Sequence, residues 1–435
     1  MDLLFPIVAF VGSFFFTFRS LGMGLGYTFF TGYFFGIIRV NYLGLFTTFF
    51  YDSGLLGLYL GILVTNRYQQ AHFLQTKGGK IFQFIIGWQL FLFLIPFHHY
   101  LVQLIALRSD VWMTLLIPVG FLLSAQDIKV LTRWLALGNL LSLAFAIYEY
   151  IYGVPSLYPY NALTELIYNS NDIRTADGKT ALRIPGTFMN AHTYAGTMLI
   201  TMSFMLEHLI SKRSHWLDRL IGLLAIFAAL SGILLTGTRT AFASMAMMVI
   251  ILWALNRFNW ILGIVIFVIV VIVGVVIANN ARFQRLQTLT NSDMVSTRIY
   301  VSMNENTLEE IFLQYPLGAG LAAGCPNIPG FLQHLAPKGL PAFENEYARI
   351  VMGQGWVGLA AWLTWIAYLL AVPPAIKVSQ PWGIMLQIIF ASQLVGWASA
   401  FIGTAGFISV PASGISCIQM GILAHYQESI RAQNR

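Results

Sequence analysis

Two arginines in this sequence have surroundings that suit a phosphate ligand. Arg239 lies in Leu235-Thr-Gly-Thr-Arg-Thr-Ala between two long apolar runs, and Arg298 follows Ser296-Thr in a polar stretch. An arginine near a membrane interface is costly unless it faces an anion or a cavity, and its planar fork matches phosphate oxygens. Two alternatives stay open: Arg239 could extend to the lipid headgroups, and Arg298 could be a solvated loop charge.

Carboxylates and an amide precede a later apolar run, in the segment Phe343-Glu-Asn-Glu-Tyr347. A carboxylate at this point could take a proton from an acceptor hydroxyl, so Glu344 is a candidate general base. Asn345 and Tyr347 are candidates for positioning the substrate. Asn and acidic residues also cap helix starts, and this structural role is the alternative.

A third polar group lies where a long polar segment enters an apolar run, in Arg183-Ile-Pro-Gly-Thr-Phe-Met-Asn190-Ala-His192. Pro185 and Gly186 predict a turn, which puts Asn190 and His192 in the first turns of a helix. A helix start offers backbone N–H groups to an anion. Arg183, Asn190 and His192 are therefore candidates for substrate binding, with a simple helix cap as the alternative.

These groups belong to a chain whose composition is that of a membrane protein. Of its 435 residues 57% are hydrophobic and 9% are charged, and the mean hydropathy is +0.72, which excludes a soluble globular protein. The apolar runs are continuous rather than alternating, which favours helices over a barrel. We predict an all-α, polytopic membrane protein with about 12–13 transmembrane helices, because the short first two runs could merge or re-enter. The spans are predicted at 3–18, 22–38, 43–65, 81–97, 111–125, 131–152, 187–210, 218–236, 240–256, 260–279, 348–371, 382–403 and 408–425.

Residues 1–435 form one predicted membrane domain with polar excursions at 153–186 and 280–346. The second excursion concentrates charge in a chain that has little, which is typical of the place where a polytopic protein keeps its chemistry. Its charged residues include Arg282, Arg285, Arg298, Glu305, Glu309, Glu310, Glu344 and Glu346.

The placement of Lys and Arg in the short connections predicts the orientation. Alternating the spans brings the basic residues of four connections to one face, the cytoplasm: Arg67, Lys77 and Lys80; Lys129 and Arg133; Lys212, Arg213 and Arg219; and Lys377. Both excursions and the turn at 236–240 then lie on the opposite face, where no nucleotide is available. Arg39 and Arg108 are exceptions, because they also fall on that face.

Several other chemistries are disfavoured. Cys325 and Cys417 are the only cysteines, and Cys417 lies in an apolar run, so neither a disulfide nor a metal-binding spacing is predicted. The turn Pro316-Leu-Gly-Ala-Gly320 lacks the Gly-Lys-Ser/Thr ending of a P-loop. We assign the formal charge of +7 to membrane anchoring and an anionic ligand, not to nucleic acid. The first apolar run has no basic start or cleavage site, so we predict a retained span.

Together the motifs resemble the superfamily of O-antigen ligases, Wzy-type repeat-unit polymerases, and exopolysaccharide and teichuronic acid polymerases. The resemblance covers about residues 180–360 and depends on the order and spacing of the motifs, since each alone is weak. The motifs are Gly186-Thr-Phe-Met-Asn190; Leu235-Thr-Gly-Thr-Arg239-Thr-Ala; Arg298 before Tyr315-Pro-Leu-Gly-Ala-Gly320-Leu; and Glu344-Asn-Glu-Tyr347 before Gly353-Gln-Gly355-Trp-Val-Gly358-Leu.

The resemblance implies a GT-C-like helical fold in the bacterial inner membrane with an extracytoplasmic active site. It implies a polyprenyl-pyrophosphate-linked glycan donor, undecaprenyl in bacteria, and no nucleotide, metal or other cofactor. Arg239 and Arg298 would hold the donor pyrophosphate and offset its developing charge. The implied partners are a glycan acceptor and the lipid bilayer, with a chain-length regulator and a flippase as candidate partner proteins and no nucleic acid.

One position departs from the family pattern. Ligases of the family usually carry a histidine just before the asparagine of the last motif, as the proposed base, and here Glu344 stands in that place. A carboxylate whose pKa is raised by partial burial could deprotonate the hydroxyl. His334 lies ten residues upstream and is the alternative base, although it does not align. Glu344 in place of the family's histidine favours a polymerase over a ligase. An inactive member of the family is a further alternative.

We therefore expect a glycosyltransferase that moves a lipid-linked glycan en bloc onto an acceptor sugar and so polymerises repeat units of O-antigen, capsule or exopolysaccharide. A ligase that transfers the glycan to lipid A core is the alternative within this class. A lipid-linked oligosaccharide transporter is the alternative from another class. The absence of internal repeats, and the near absence of acidic residues from the span centres, argue against a transporter. A structural scaffold would leave Arg239 and Arg298 unexplained.

Overall fold

The structure is a computed structural model, and it describes residues 2–65, 72–161, 163–170, 172–174, 180–210, 215–255, 293, 296–297, 300, 308–324, 328, 330–337, 345–371, 373, 383–400 and 409–433. Its α-helices are α1 (Leu4–Arg19), α2 (Leu21–Asn41), α3 (Phe50–Val64), α4 (Lys77–Phe93), α5 (Tyr100–Thr114), α6 (Leu116–Phe121), α7 (Ala125–Tyr152), α8 (Glu165–Ser170), α9 (Ala191–Ile210), α10 (Trp216–Thr236), α11 (Arg239–Leu255), α12 (Leu308–Gln314), α13 (Glu346–Leu370), α14 (Gly383–Ser399) and α15 (Ala412–Gln433). Short 3-10 helices occupy Phe46–Phe49, His72–Gln75, Val154–Ser156, Leu321–Gly324 and Gly330–Leu335.

The helices confirm an all-α, multi-pass membrane protein. A helix overlaps each predicted span except 260–279, which lies outside the described residues. Within the described part, six helical segments are long and apolar enough to cross a membrane: Leu21–Asn41, Phe46–Val64, Tyr100–Phe121, Ala125–Tyr152, Trp216–Thr236 and Glu346–Leu370. The first two predicted spans remain separate helices, because Ser20 interrupts them and its hydroxyl caps α2 by accepting from Met23 N at 3.0 Å.

One predicted boundary was wrong. The span predicted at 111–125 begins earlier, since α5 starts at Tyr100. Arg108 and Asp110 made this stretch look like a connection, but both are paired with other charges in the fold. Arg108 Nη1 lies 3.2 Å from Asp52 Oδ2, and Asp110 Oδ1 lies 3.6 Å from Arg349 Nη1. Paired charges can enter a helix bundle that would exclude them singly.

The first excursion, predicted at 153–186, is partly folded. It contains α8 and an antiparallel ribbon of β1 (Asp172–Arg174) and β2 (Thr180–Leu182), in which Ile173 pairs with Ala181. This ribbon is the exception to the helical fold in the described part of the chain. Of the second excursion, predicted at 280–346, the structure describes mainly α12, the turn that follows it and the 3-10 segments.

Close helix contacts hold the bundle together where small residues remove bulk. Gly120 in α6 faces Gly421 in α15, and neither position has room for a Cβ atom. A Cβ at Gly120 would lie 2.3 Å from Ile418 O, and one at Gly421 would lie 2.1 Å from Ile117 O. Small residues of this kind let helices in membranes approach closely. This contact fixes α15, which contributes to the candidate site.

The two ends of the bundle carry different groups. We call the end where α2 and α10 finish and α9, α11 and α13 begin the site end. At the opposite end Asp218 on α10 binds Lys129 and Arg133 on α7, with a distance of 2.8 Å in each pair. These two basic residues belong to the connections that the sequence predicted as cytoplasmic.

Candidate functional site

The segment Gly186–Asn190 is held in place by buried polar contacts at the site end. Gly186 has a φ of +63°, and its N–H donates to Glu149 Oε2 at 2.9 Å. The Tyr158 hydroxyl donates to the carbonyls of Gly186 at 3.0 Å and Phe188 at 2.7 Å. Burial raises the pKa of Tyr158 well above its usual value, and the negative charge of Glu149 adds to this, so the hydroxyl keeps its proton. The turn that precedes α9 is therefore rigidly positioned.

Arg183 and His192 come together on this turn. Arg183 Nη1 lies 2.7 Å from His192 Nε2, and Arg183 is 4% exposed while His192 is exposed. Asn190 caps α9: its Oδ1 accepts from Thr193 N at 2.8 Å and from Thr193 Oγ1 at 3.0 Å. The capping alternative therefore applies to Asn190, and its role in substrate binding stays a prediction. Arg183 can act on a ligand through His192, which faces outward.

Arg239 is the first residue of α11 and is half-buried. The chain reverses between α10 and α11 within two residues, because Gly237 adopts a left-handed conformation with φ +59°. Thr236 Oγ1 accepts from Thr238 N at 3.3 Å and steadies this reversal. The tight turn fixes Arg239 at a helix start, where backbone dipoles favour an anion.

A cavity of about 50 Å³ lies at the site end, and Thr240, the residue that follows Arg239, lines it. Its walls come from four helices and include Gly196 of α9, Thr240 and Ser244 of α11, Gln393 and Ser399 of α14, and Ser416 of α15. Gln393 Nε2 donates to Gln419 Oε1 at 2.9 Å, and Gln419 Nε2 donates to Ser203 Oγ at 2.8 Å, so α9, α14 and α15 are tied together below it. The cavity joins the helix that follows the first motif to the helix that begins with Arg239.

The start of α13 is anchored on the end of α14. Asn345 caps α13, since its Oδ1 accepts from Tyr347 N at 2.9 Å and from Ala348 N at 3.3 Å. Glu346 N donates to Ala400 O at 2.9 Å, and the Tyr347 hydroxyl donates to Trp397 O at 2.8 Å. Because Gly396 and Ser399 of α14 also line the cavity, the last motif is brought to the same region as Arg239.

Glu346 has a structural role that differs from that predicted for Glu344. It is 2% exposed, and its carboxylate receives Arg349 Nη2 at 2.5 Å and Nε at 3.0 Å. Arg349 Nη1 also lies 3.6 Å from Asp110 Oδ1 on α5. This group of two carboxylates and one guanidinium joins α13 to α5 close to the cap at Asn345.

The glycine-rich turn after α12 packs against a break in α13. Gly355 has φ +67° and ψ −171°, which interrupts the helix. At this break Trp356 N donates to Pro316 O at 3.0 Å, and Ala319 N donates to Met352 O at 2.7 Å. A Cβ at Gly318 would lie 2.7 Å from Gly355 N, so the two glycine-containing motifs are in direct contact.

Two of the three residues predicted for the central chemistry, Arg298 and Glu344, lie outside the described residues, and the third is Arg239. His334, the alternative base, is exposed in the 3-10 helix Gly330–Leu335. Within the described part, no group of three His, Cys, Asp or Glu side chains could hold a metal ion. The structure thus brings together Arg239, the α9 start with His192, and the α13 start with Asn345 and Tyr347, around one end of the bundle.

The supporting residues were not predicted from the sequence: Glu149, Asp110, Arg349 and Gln393. Glu149 could have been found, because a single acidic residue in a long apolar span usually has a specific partner. Asp110 is a charge next to an apolar run, but it fell in the connection predicted between the spans at 81–97 and 111–125. Nothing in the sequence pairs Arg349 with α5 or puts Gln393 beside the helix of Arg239.

Comparison with known proteins supports the resemblance to this superfamily over part of the chain. A sequence model of the family described as O-Antigen ligase matches residues 224–363, about a third of the chain, from α10 into α13. The matched segment contains Arg239, Arg298 and Glu344, whereas Gly186–Asn190 lies before it. No curated protein matches the chain. The resemblance predicted from the motifs is thereby confirmed for residues 224–363, and the family matched there implies a glycosyltransferase-like activity in this multi-pass membrane protein.

Proposed function

We propose that this protein polymerises lipid-linked glycan repeat units at the outer face of the bacterial inner membrane. The donor is a glycan on a polyprenyl pyrophosphate, and the acceptor is a sugar hydroxyl of a second lipid-linked repeat unit. The observation that carries the proposal is the convergence at one end of the bundle. Arg239 begins a helix beside a cavity whose other walls continue to the helix of His192 and to the end of α14, on which Asn345 and Tyr347 are anchored.

The distribution of charge supports the proposed orientation. Lys129 and Arg133 lie at the opposite end of the bundle, and the positive-inside rule assigns that end to the cytoplasm. The site end then faces the periplasm or the exterior. A lipid-linked sugar supplies its own leaving group there, so the reaction needs no cytoplasmic nucleotide.

The chemistry assigns a role to each predicted residue. The acceptor hydroxyl attacks the anomeric carbon of the donor, a glycosidic bond forms, and the bond from this carbon to the pyrophosphate oxygen breaks. Glu344 takes the hydroxyl proton, and Arg239 and Arg298 hold the departing polyprenyl pyrophosphate. Fixed guanidinium groups that face a developing negative charge stabilise the transition state. Asn345, Tyr347, Asn190, His192 and Arg183 would position the two substrates.

The description of the matched family favours a second candidate within the same class. An O-antigen ligase would use the same donor and the same two arginines, and its acceptor would be lipid A core. The two functions differ in the product: a polymerase gives a ladder of lengthening lipid-linked glycans, and a ligase gives a single addition to lipid A core.

Purified protein in nanodiscs, supplied with a labelled lipid-pyrophosphate oligosaccharide and either acceptor, tests the proposal. We expect Arg239→Ala and Arg298→Ala each to lower transfer by roughly 100-fold or more, as for the loss of a transition-state donor. Glu344→Gln should abolish it. Arg239→Lys keeps the charge but loses the fork, so its transfer should fall between those of Arg239→Ala and the wild type.

Arg219→Ala is the matched control, because Arg219 is exposed at the opposite end of α10, the helix that leads to Arg239. This variant should transfer like the wild type. Equal transfer by the wild type and by Arg239→Ala, Arg298→Ala and Glu344→Gln would contradict the site assignment. Movement of the lipid-linked glycan across liposomes without transfer to any acceptor would instead identify a transporter.

A further inference from the structure

Two arginines that the positive-inside pattern does not explain meet near the site end. Arg39 lies at the end of α2, and Arg108 lies in α5, and both are partly buried. Arg108 Nη1 forms an ion pair with Asp52 Oδ2 of α3 at 3.2 Å, and Arg39 is close enough to both residues to interact electrostatically. The Asp52 carboxylate pairs with Arg108 and also acts on the charge of Arg39, and the three groups together have a net charge of +1.

Both guanidinium groups are held in a defined orientation. The Cζ atom of Arg39 lies 5.7 Å from the ring centre of Phe35, and that of Arg108 lies 5.3 Å from the ring centre of Phe49. Contact with an aromatic face attracts a cation and limits the rotation of its side chain. The edges of both groups, which carry the N–H donors, are thus arranged before any ligand binds.

Some of these donors have no acceptor among the residues that the structure describes. The Nε atoms of Arg39 and Arg108 are shielded from solvent and make no hydrogen bond there. Nη1 of Arg108 is near Asp52 but lacks the alignment for a hydrogen bond. A buried donor without an acceptor costs about 1–3 kcal/mol, more when it is charged. An oxyanion that accepts from these donors would remove this cost.

The cluster lies between the predicted substrate-binding segments. Gly36 is one turn before Arg39 on the same face of α2, and a Cβ at Gly36 would lie 2.2 Å from Phe188 C. Ile37 N donates to Thr187 O at 3.1 Å, which fixes this end of α2 on the first motif. On the other side, Arg108 is half a turn from Asp110, which contacts Arg349 at the start of α13. An anion bound here would be next to the segments that position the substrate.

We propose that Arg39 and Arg108 form a second phosphate-binding site, which takes a lipid-borne phosphate group other than the donor pyrophosphate held by Arg239 and Arg298. The inference rests on the proposed function, because a polymerase must hold two lipid diphosphates at once. One belongs to the donor and leaves, and the other stays on the acceptor repeat unit. The headgroup phosphate of a bilayer phospholipid is the second source of the same chemistry.

Asp52 has a role in this arrangement. After each transfer the lengthened glycan is carried by the acceptor lipid, which must leave its site to become the next donor. A carboxylate beside the arginines competes with the phosphate and weakens its binding. The site therefore holds the acceptor lipid during transfer and still releases it.

Binding of undecaprenyl diphosphate to the protein in phosphatidylcholine nanodiscs tests the inference without any transfer reaction. We expect the wild type to bind two molecules. Arg39→Gln and Arg108→Gln should each weaken one of the two binding events by roughly tenfold or more, and Arg239→Ala should weaken the other. Arg219→Gln at the opposite end is the control and should bind like the wild type.

Whether Asp52→Asn tightens or weakens diphosphate binding shows whether the two arginines bind a ligand or only support the fold. Asp52→Asn should tighten the same binding event that the two arginine variants weaken, because the competing charge is gone. Weaker binding in Asp52→Asn, or two unchanged binding events in Arg39→Gln and Arg108→Gln, would overturn the proposal.

Adding phosphatidylglycerol to the nanodiscs distinguishes the two phosphate sources. If this lipid abolishes only the Arg39-dependent binding event, the phosphate comes from a phospholipid headgroup. If both events persist, it comes from the acceptor diphosphate. Either result supports the site. Failure of the proposed function would appear separately, as an absence of transfer in a protein that still binds two diphosphates.

Discussion

Replacing Gly355 with alanine should destabilise the protein by displacing the glycine-rich turn that packs on the break in α13. The backbone at Gly355, with φ +67° and ψ −171°, is a conformation that only glycine adopts readily. A Cβ added there would lie 2.5 Å from Leu317 C, which is backbone and cannot rotate away. Both the chain conformation and the packing of the turn therefore oppose the substitution.

The magnitude follows from these two contributions. Holding a non-glycine residue in this region of φ and ψ costs about 1–3 kcal/mol, and overpacking a tight contact costs about 1–3 kcal/mol. The expected loss in the free energy of unfolding is thus about 2–6 kcal/mol. If the turn moves away instead, the bonds from Trp356 N to Pro316 O and from Ala319 N to Met352 O are lost. The loss of these two hydrogen bonds then destabilises the protein in place of the steric clash.

Thermal unfolding in detergent, compared with a matched glycine variant, checks this prediction. Gly87 lies in α4, and a Cβ added there would meet no atom within 4 Å. Gly87→Ala should stabilise the protein slightly, by about 0.5–1 kcal/mol, because alanine is the better helix former. Gly355→Ala should lower Tm by roughly 2–7 °C, because the unfolding entropy of a chain of 435 residues is about 0.9 kcal/mol/K. Equal Tm values for Gly355→Ala and the wild type would refute the reasoning.

Two further predictions concern the contacts that support the site. Glu346→Gln should lower the free energy of unfolding by about 3 kcal/mol, because Arg349 loses the carboxylate that it contacts most closely. Adding Arg349→Gln should restore part of this loss in a double-mutant cycle, and strictly additive losses would contradict the pairing. Tyr158→Phe should cost about 1–3 kcal/mol, because the carbonyls of Gly186 and Phe188 lose their donor. Thermal unfolding of Tyr158→Phe measures this loss, and an unchanged Tm would show that the hydrogen bonds of Tyr158 do not stabilise the protein.

The helices could be predicted from the sequence because hydropathy reports directly on the solvent around a segment. The prediction failed at the start of α5, where Arg108 and Asp110 have partners on α3 and α13 that no local pattern reveals. The motif positions were also predictable, but their contacts were not. Asn190 and Asn345 both cap helices, so the same residue type at the same kind of position serves the fold whether or not it also contacts a substrate.

The end of α14 shows most clearly why the arrangement of the site could not be derived from the sequence. This helix was predicted only as a span, at 382–403, with no chemical role. Its last turn accepts hydrogen bonds from the start of α13 through the carbonyls of Trp397 and Ala400, and it lines the cavity beside Arg239 through Gly396 and Ser399. Any residue type can supply a backbone carbonyl, so contacts of this kind produce no recognisable sequence motif. A displacement of this turn would move Asn345 and Tyr347 relative to Arg239, and for this reason α14 belongs to the functional site although none of its side chains was predicted to act.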